Sequence, residues 1–233
     1  MKKMLLSAVA MVALTMSANA QGNFSTLTSG YYKVHVYEPT DASQPKALIV
    51  EGDKGLVVID RPQSSAAFEE QLTNFYMPVL MEINNFKPSG EGVPTDVKAG
   101  GNISKDGMKF YFTEGTESID NQAALIIGGK IYYSRYAPTK EHLSAERLNS
   151  REAVVAEYEA AQKAFSKKCL YYIGQYGDYG NQAAQGFVLN YLRDVKKNME
   201  KCSSSEEFVA AMSKAYPKLK GAENLESVAA KLF

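Results

Sequence analysis

The chain has 233 residues, with 26 Lys and Arg, 26 Asp and Glu, and only two histidines. Neither sign forms a long run, which argues against a phosphate-tracking nucleic-acid surface and a polybasic membrane patch. Beyond the first 20 residues no stretch is apolar enough to span a bilayer, and the length suits one domain with a full core.

Residues 1–20 read as a secretory signal peptide. Lys2 and Lys3 form the charged start, residues 4–16 the apolar run, and Ala18-Asn19-Ala20 the small-residue cleavage site. The style is that of a Gram-negative export signal, so the expected location is the periplasm or the exterior. Cleavage before Gln21 removes two lysines and no acid, leaving 24 basic against 26 acidic side chains, a net charge near −2. No cysteine follows the cleavage site, so no lipid anchor is expected there. The two cysteines, Cys169 and Cys202, would enter a compartment where disulfides form. Cys169 opens a strand and Cys202 closes the helix after it, a placement that allows either a bridge or two buried thiols.

The mature chain opens with strands. Residues 31–37 alternate, and 47–50 pair with 56–59 across Gly52-Asp53-Lys54-Gly55. A helix capped by Ser64 or Ser65 follows, with Phe68, Leu72, Phe75 and Tyr76 as its apolar stripe and Pro78 as its end. Residues 79–83 form a short strand. Residues 85–107 are rich in Asn, Gly, Pro and Ser and read as one long loop. Strands return at 108–113, 123–127 and 131–134, the last two joined by a two-residue turn at Gly128-Gly129. A helix capped by Asn149 or Ser150 presents Val154, Tyr158, Ala161 and Phe165. A strand at 169–173 and a helix over 182–201 come next. Two more helices close the chain, one capped by Ser203 or Ser204 and one over 222–232. Strands first, then strand and helix in alternation, describe a layered α/β domain.

Residues 47–60, ALIVEGDKGLVVID, resemble the hairpin that opens the metallo-β-lactamase superfamily fold and ends in an aspartate; Asp60 stands in that position. Gly115-Thr116-Glu117-Ser118, with Asp120 close behind, resembles the family's His-Thr segment with glycine in place of histidine. The hairpin over 123–134 is similar to the one that delivers a bridging aspartate, and Arg135 stands there instead. Residues 173–177, IGQYG, resemble a Gly-His-Gly turn with Tyr176 in the histidine position. The resemblance covers roughly residues 30–200. It implies an αββα sandwich of two facing mixed β-sheets with outer helices, built as one domain over 21–233 whose C-terminus is helical from about 181.

The family's His-x-His-x-Asp-His run, due near residues 80–105, is absent. A catalytic zinc site takes three protein ligands and one open position, and neither His35 nor His142 has a partner at ligand spacing. His35 alternates into a strand as a satisfied imidazole, and His142 beside Glu141 reads as solvent-exposed. Asp60 can hydrogen-bond amides near the helix start. Cys169 reads as a small buried apolar residue, and the tyrosines can simply be core. Against those readings, the resemblance brings Asp60, Arg135, Tyr136, Tyr176, Asp178 and Tyr179 to one edge, where Tyr and Arg suit ligand recognition. The expected protein is therefore an exported pseudoenzyme without metal or other cofactor. It would bind an unidentified small ligand or protein at the former active-site edge, with no nucleic acid and no membrane span. Two alternatives stay open: a hydrolase using metal-free chemistry or carboxylates such as Asp60, Asp120 and Asp178, and a structural interaction protein without a ligand.

Overall fold

A computed structural model of the chain describes residues 22–29, 32–41, 44–90, 93, 97–114, 122–134, 141–176 and 179–233. The expected signal peptide, the segment from Gly115 to Asp120, and Arg135, Tyr136 and Asp178 lie outside the described residues.

The first half builds one six-stranded sheet in the order β1 (Gly22–Ser29), β2 (Tyr32–Pro39), β3 (Ala47–Glu51), β4 (Leu56–Ile59), β5 (Val79–Asn84) and β6 (Lys87–Ser89). All neighbours are antiparallel except β4 and β5, which α1 (Ala66–Thr73) connects as a parallel crossover. The second sheet runs β12 (Tyr179–Asn181), β11 (Tyr171–Gly174), β10 (Ile131–Ser134), β9 (Gln122–Ile127), β8 (Met108–Glu114) and β7 (Asn102–Lys105). Here β10 and β11 are the parallel pair, with Ser134 opposite Gly174.

Alternation sorts the side chains into layers. Val34, Val36, Leu48, Val50, Val57 and Ile59 face Phe110, Phe112, Leu125, Ile127, Tyr133 and Ile173 across the sandwich. The other face of the first sheet packs Tyr37, Ile49 and Val58 against Phe68 of α1. On the far side, Ile126, Tyr132 and Tyr172 meet α2 (Arg151–Ala164), α3 (Gln182–Lys201), α4 (Ser205–Ala215) and α5 (Ala222–Leu232). The architecture is the expected αββα sandwich.

Four local expectations need correction. Helix α1 stops at Thr73, with Asn74 as its cap, because Tyr76 takes a left-handed φ of 52°. Tyr76 is 96% exposed rather than part of the buried stripe. Residues 85–107 are not one loop: Asn85 and Phe86, at φ 49° and 59°, turn β5 back into β6, and β7 follows at Asn102. Those two strands hold one apolar residue between them, Ile103, so no periodicity announces them; edge strands of this polar kind resist further pairing. His142 is buried, not exposed: its amide donates to the Lys220 carbonyl and its Nδ1 lies 3.0 Å from the Tyr191 hydroxyl. The turn at Gly128 and Gly129 takes in Lys130 as well, because Ile127 pairs with Ile131.

The helix starts follow the sequence closely. Ser65, Ser150 and Ser204 each accept an amide three residues on, and Glu207 returns to the Ser203 amide at 2.8 Å. Both cysteines are free; Cys169 is buried, Cys202 half-buried.

Candidate functional site

The apolar run of β4 drives into the core and stops at Asp60, whose φ of 52° places it in the left-handed region. Asp tolerates that conformation better than most side chains, and a non-glycine residue held there stores about 1 kcal/mol or more of strain. The reward is local. The Asp60 amide donates to the Ile83 carbonyl at 2.7 Å, which locks the turn against β5. Its carboxylate, 8% exposed, then accepts from three groups. The Asn85 amide reaches Oδ1 at 2.8 Å, while the Tyr133 hydroxyl and the Gln175 side-chain amide reach Oδ2 at 2.6 and 2.8 Å.

This network joins the two sheets. Tyr133 comes from β10, Gln175 follows β11, and Asp60 and Asn85 belong to the first sheet. The Tyr133 hydroxyl also lies 2.7 Å from the Lys46 carbonyl, so its single proton serves two acceptors. Lys46 donates its amide to the Gln175 carbonyl, and Gln175 donates its own to Ser134. Burial first, then the charge and hydrogen bond of Asp60, then Tyr176, push the Tyr133 phenol well above its ordinary range. Tyr133 is therefore a hydrogen-bond donor at this site and not an acid.

A cleft of about 1220 Å³ opens over Asp60. Tyr37, Gln44, Gln63, Asn84 and Tyr176 are among its walls. Arg61 crosses it, with Nε and Nη2 on the two Glu69 oxygens at 3.0 and 2.7 Å and Nη1 on Glu82 at 2.8 Å. The Glu69 bond, then that of Glu82, raises the Arg61 pKa further, so this cation is fixed. Tyr37 meets Ser65, the cap of α1, at 2.8 Å.

Of the residues singled out from sequence, the structure brings Asp60 and Tyr176 into one cleft, and Tyr176 is 49% exposed there. Tyr179 opens β12, one strand from Tyr133 across β11. Arg135, Tyr136 and Asp178 are among the undescribed residues. Asp60 binds the Asn85 amide rather than amides at the start of α1. Tyr133, Gln175 and Arg61 were missed. One signal was available for the first: alternation in Ile131-Tyr132-Tyr133 turns Tyr133 inward with Ile131, and a buried phenol needs a partner. For Gln175 the sequence offers none.

The described lining of the cleft brings no imidazole or thiolate to Asp60. Those lining residues offer carboxylate and amide oxygens, whereas catalytic zinc sites combine any carboxylate with imidazole or thiolate ligands. Both imidazoles are engaged elsewhere, His142 with Tyr191 and His35 with Thr26 and Glu51. Among the described residues no three His, Cys, Asp or Glu side chains are grouped to hold a metal ion.

No protein-family model matches the sequence, and no curated protein does. Solved structures do. A flavo di-iron protein from Thermotoga maritima superposes with a TM-score of 0.51 at 16% identity, over 76% of this chain and 63% of that one. A flavoprotein from the same organism gives 0.50 at 16% identity, over 77% and 63%. The chain thus spans less than two thirds of the length of these two proteins. A metallo-β-lactamase from Erythrobacter litoralis aligns over 76% of this chain and 95% of its own, at 11% identity and a TM-score of 0.48. At such identities the likeness to the two Thermotoga proteins is one of fold alone, a layered α/β sandwich of two mixed sheets.

Proposed function

We propose that the chain is an exported protein of the metallo-β-lactamase fold that has given up zinc hydrolysis and uses the edge around Asp60 to bind a small ligand or a protein partner. One observation carries this reading. Asp60, which the resemblance puts at the aspartate that ends the family's opening hairpin, spends its carboxylate on Tyr133, Gln175 and the Asn85 amide. A ligand-free carboxylate in a cleft is costly unless donors reach it, and here donors from both sheets do. Beside it the cleft keeps room, and Tyr176 offers an exposed ring for recognition.

Elemental analysis of protein purified without a His-tag tests the first half of the reading. The expected result is no stoichiometric transition metal, and one equivalent of zinc surviving dialysis overturns it. A fragment library screened by thermal shift tests the second half. Hits are expected to be lost in Tyr176→Ala, and a full set of hits retained by that variant places binding elsewhere.

A further inference from the structure

The outer face of the first sheet carries a group of side chains unrelated to the Asp60 cleft. Thr26 on β1 and His35 on β2 are direct cross-strand partners, and Glu51 ends β3 two residues from the residue opposite His35. Thr26 Oγ1 lies 2.9 Å from His35 Nδ1, and His35 Nε2 lies 3.2 Å from Glu51 Oε2. The carboxylate can only accept, so Nε2 carries the proton and donates it. Nδ1 is then the acceptor, and the Thr26 hydroxyl donates to it. A hydroxyl aimed at a base, with the base oriented by a carboxylate, is the arrangement that activates an oxygen nucleophile.

We propose that Thr26, His35 and Glu51 form an acyl-transfer relay in which Thr26 is the nucleophile, His35 the general base and Glu51 the residue that positions it. The substrate class is a small activated ester. Thr26 Oγ1 attacks the ester carbonyl carbon while its proton passes to His35 Nδ1. Collapse of the adduct breaks the bond to the leaving oxygen, which takes that proton and departs as the alcohol. Water then attacks the threonyl ester with His35 again as base, releasing the acid and restoring Thr26.

Three features of the fold favour this. Thr26 is half-buried, whereas His35 is only 8% exposed. Strand β1 ends the sheet among the described residues, so alternate amides along it have no partner on β2. The Phe75 ring, 4.7 Å from the imidazole, covers it from the α1 side and brings no charge. Glu51 also holds Lys33 at 3.2 Å, so the charged groups facing His35 are Glu51 from β3 and Lys33 from its own strand. Burial outweighs the bond and charge of Glu51, with Lys33 on the same side as burial, and keeps the imidazole below its ordinary pKa and neutral at pH 7.

The test uses p-nitrophenyl acetate and the full chain. The expected result is a stoichiometric burst of nitrophenolate with acetyl mapped by mass spectrometry to the Thr26 peptide. The burst should persist in Thr26→Ser and fall by about 100-fold in Thr26→Ala, the scale of general-base and nucleophile effects. Its rate should drop with acid as His35 takes a proton. Glu51→Gln, which keeps an acceptor and should fold, removes the negative charge that helps raise the His35 pKa, so the midpoint should move to lower pH. Acetyl found only on lysines, equal bursts in wild type and Thr26→Ala, or an unmoved midpoint in Glu51→Gln overturns the proposal.

Discussion

Two buried carboxylates meet opposite fates in this molecule. Asp60, at the edge between the sheets, receives three donors from three separate segments. Glu157, on the helical layer, is 5% exposed, yet its Oε2 has no hydrogen-bond partner among the described residues. Burial pushes Glu157 up to about 7 from 4.5, and the nearby charge of Arg147 only partly opposes it. The buried oxygens are thus met by protein donors at the first site, whereas burial at the second favours holding a proton. Donors converging on one carboxylate from both sheets mark a place where the fold has organised itself around a charge. A carboxylate left with its proton marks packing that tolerates a polar group.

The comparison breaks most sharply at Asp60. Asp60→Ala takes away the acceptor that the Tyr133 hydroxyl, the Gln175 side-chain amide and the Asn85 amide share, and places Ala at φ 52°. Unsatisfied buried donors cost about 1–3 kcal/mol each, so chemical denaturation should show a loss of about 3–5 kcal/mol. Asp60→Asn keeps one acceptor and tolerates the backbone, and should lose roughly half as much. A loss under about 1 kcal/mol in Asp60→Ala would erase the distinction between the two sites.

Glu157 tests the other side. Its folded pKa lies above its unfolded value, so its stabilising contribution is complete below pH 4.5 and is lost as pH rises through about 7. At about 1.4 kcal/mol per pH unit, Glu157→Gln should stabilise the protein by about 2–3 kcal/mol at pH 8. The same variant should be near neutral at pH 4.5. Equal effects at both values would mean that Glu157 ionises freely.

Tyr133→Phe sharpens the account of the edge. It removes one of three donors to Asp60 and the bond to the Lys46 carbonyl, while the ring keeps its packing. Equilibrium unfolding should show a loss of about 1–2 kcal/mol. The smallest effect is expected far from both carboxylates, at Tyr76. Its side chain is exposed and its φ is left-handed. Tyr76→Asn should therefore stabilise by about 0.5–1 kcal/mol, read as a small rise in Tm.

The layered fold was legible because its strands alternate and its helices begin at Ser caps. Leu48-Ile49-Val50 and Leu56-Val57-Val58 announce buried strands, and Ser65, Ser150 and Ser204 all cap as their sequences suggest. The polar edge strands β6 and β7 were invisible, since Lys87-Pro88-Ser89 has nothing to bury. Asp60 was found through the family resemblance, but its partners were not. They lie 25, 73 and 115 residues away in sequence, and pairing over such separations is set by how the sheets stack. His142 misled for the same reason: Glu141 at its side suggested water, while Tyr191, 49 residues on, supplies its partner in the core.

Zinc-dependent stability tests the central claim most directly. A metal that binds only the folded state raises Tm with concentration. If the Asp60 edge is satisfied by Tyr133, Gln175 and the Asn85 amide, Tm should be the same in EDTA and across a micromolar zinc titration, and Asp60→Ala should lower it equally at every zinc concentration. A Tm that climbs with zinc in wild type and stays flat in Asp60→Ala would contradict the account.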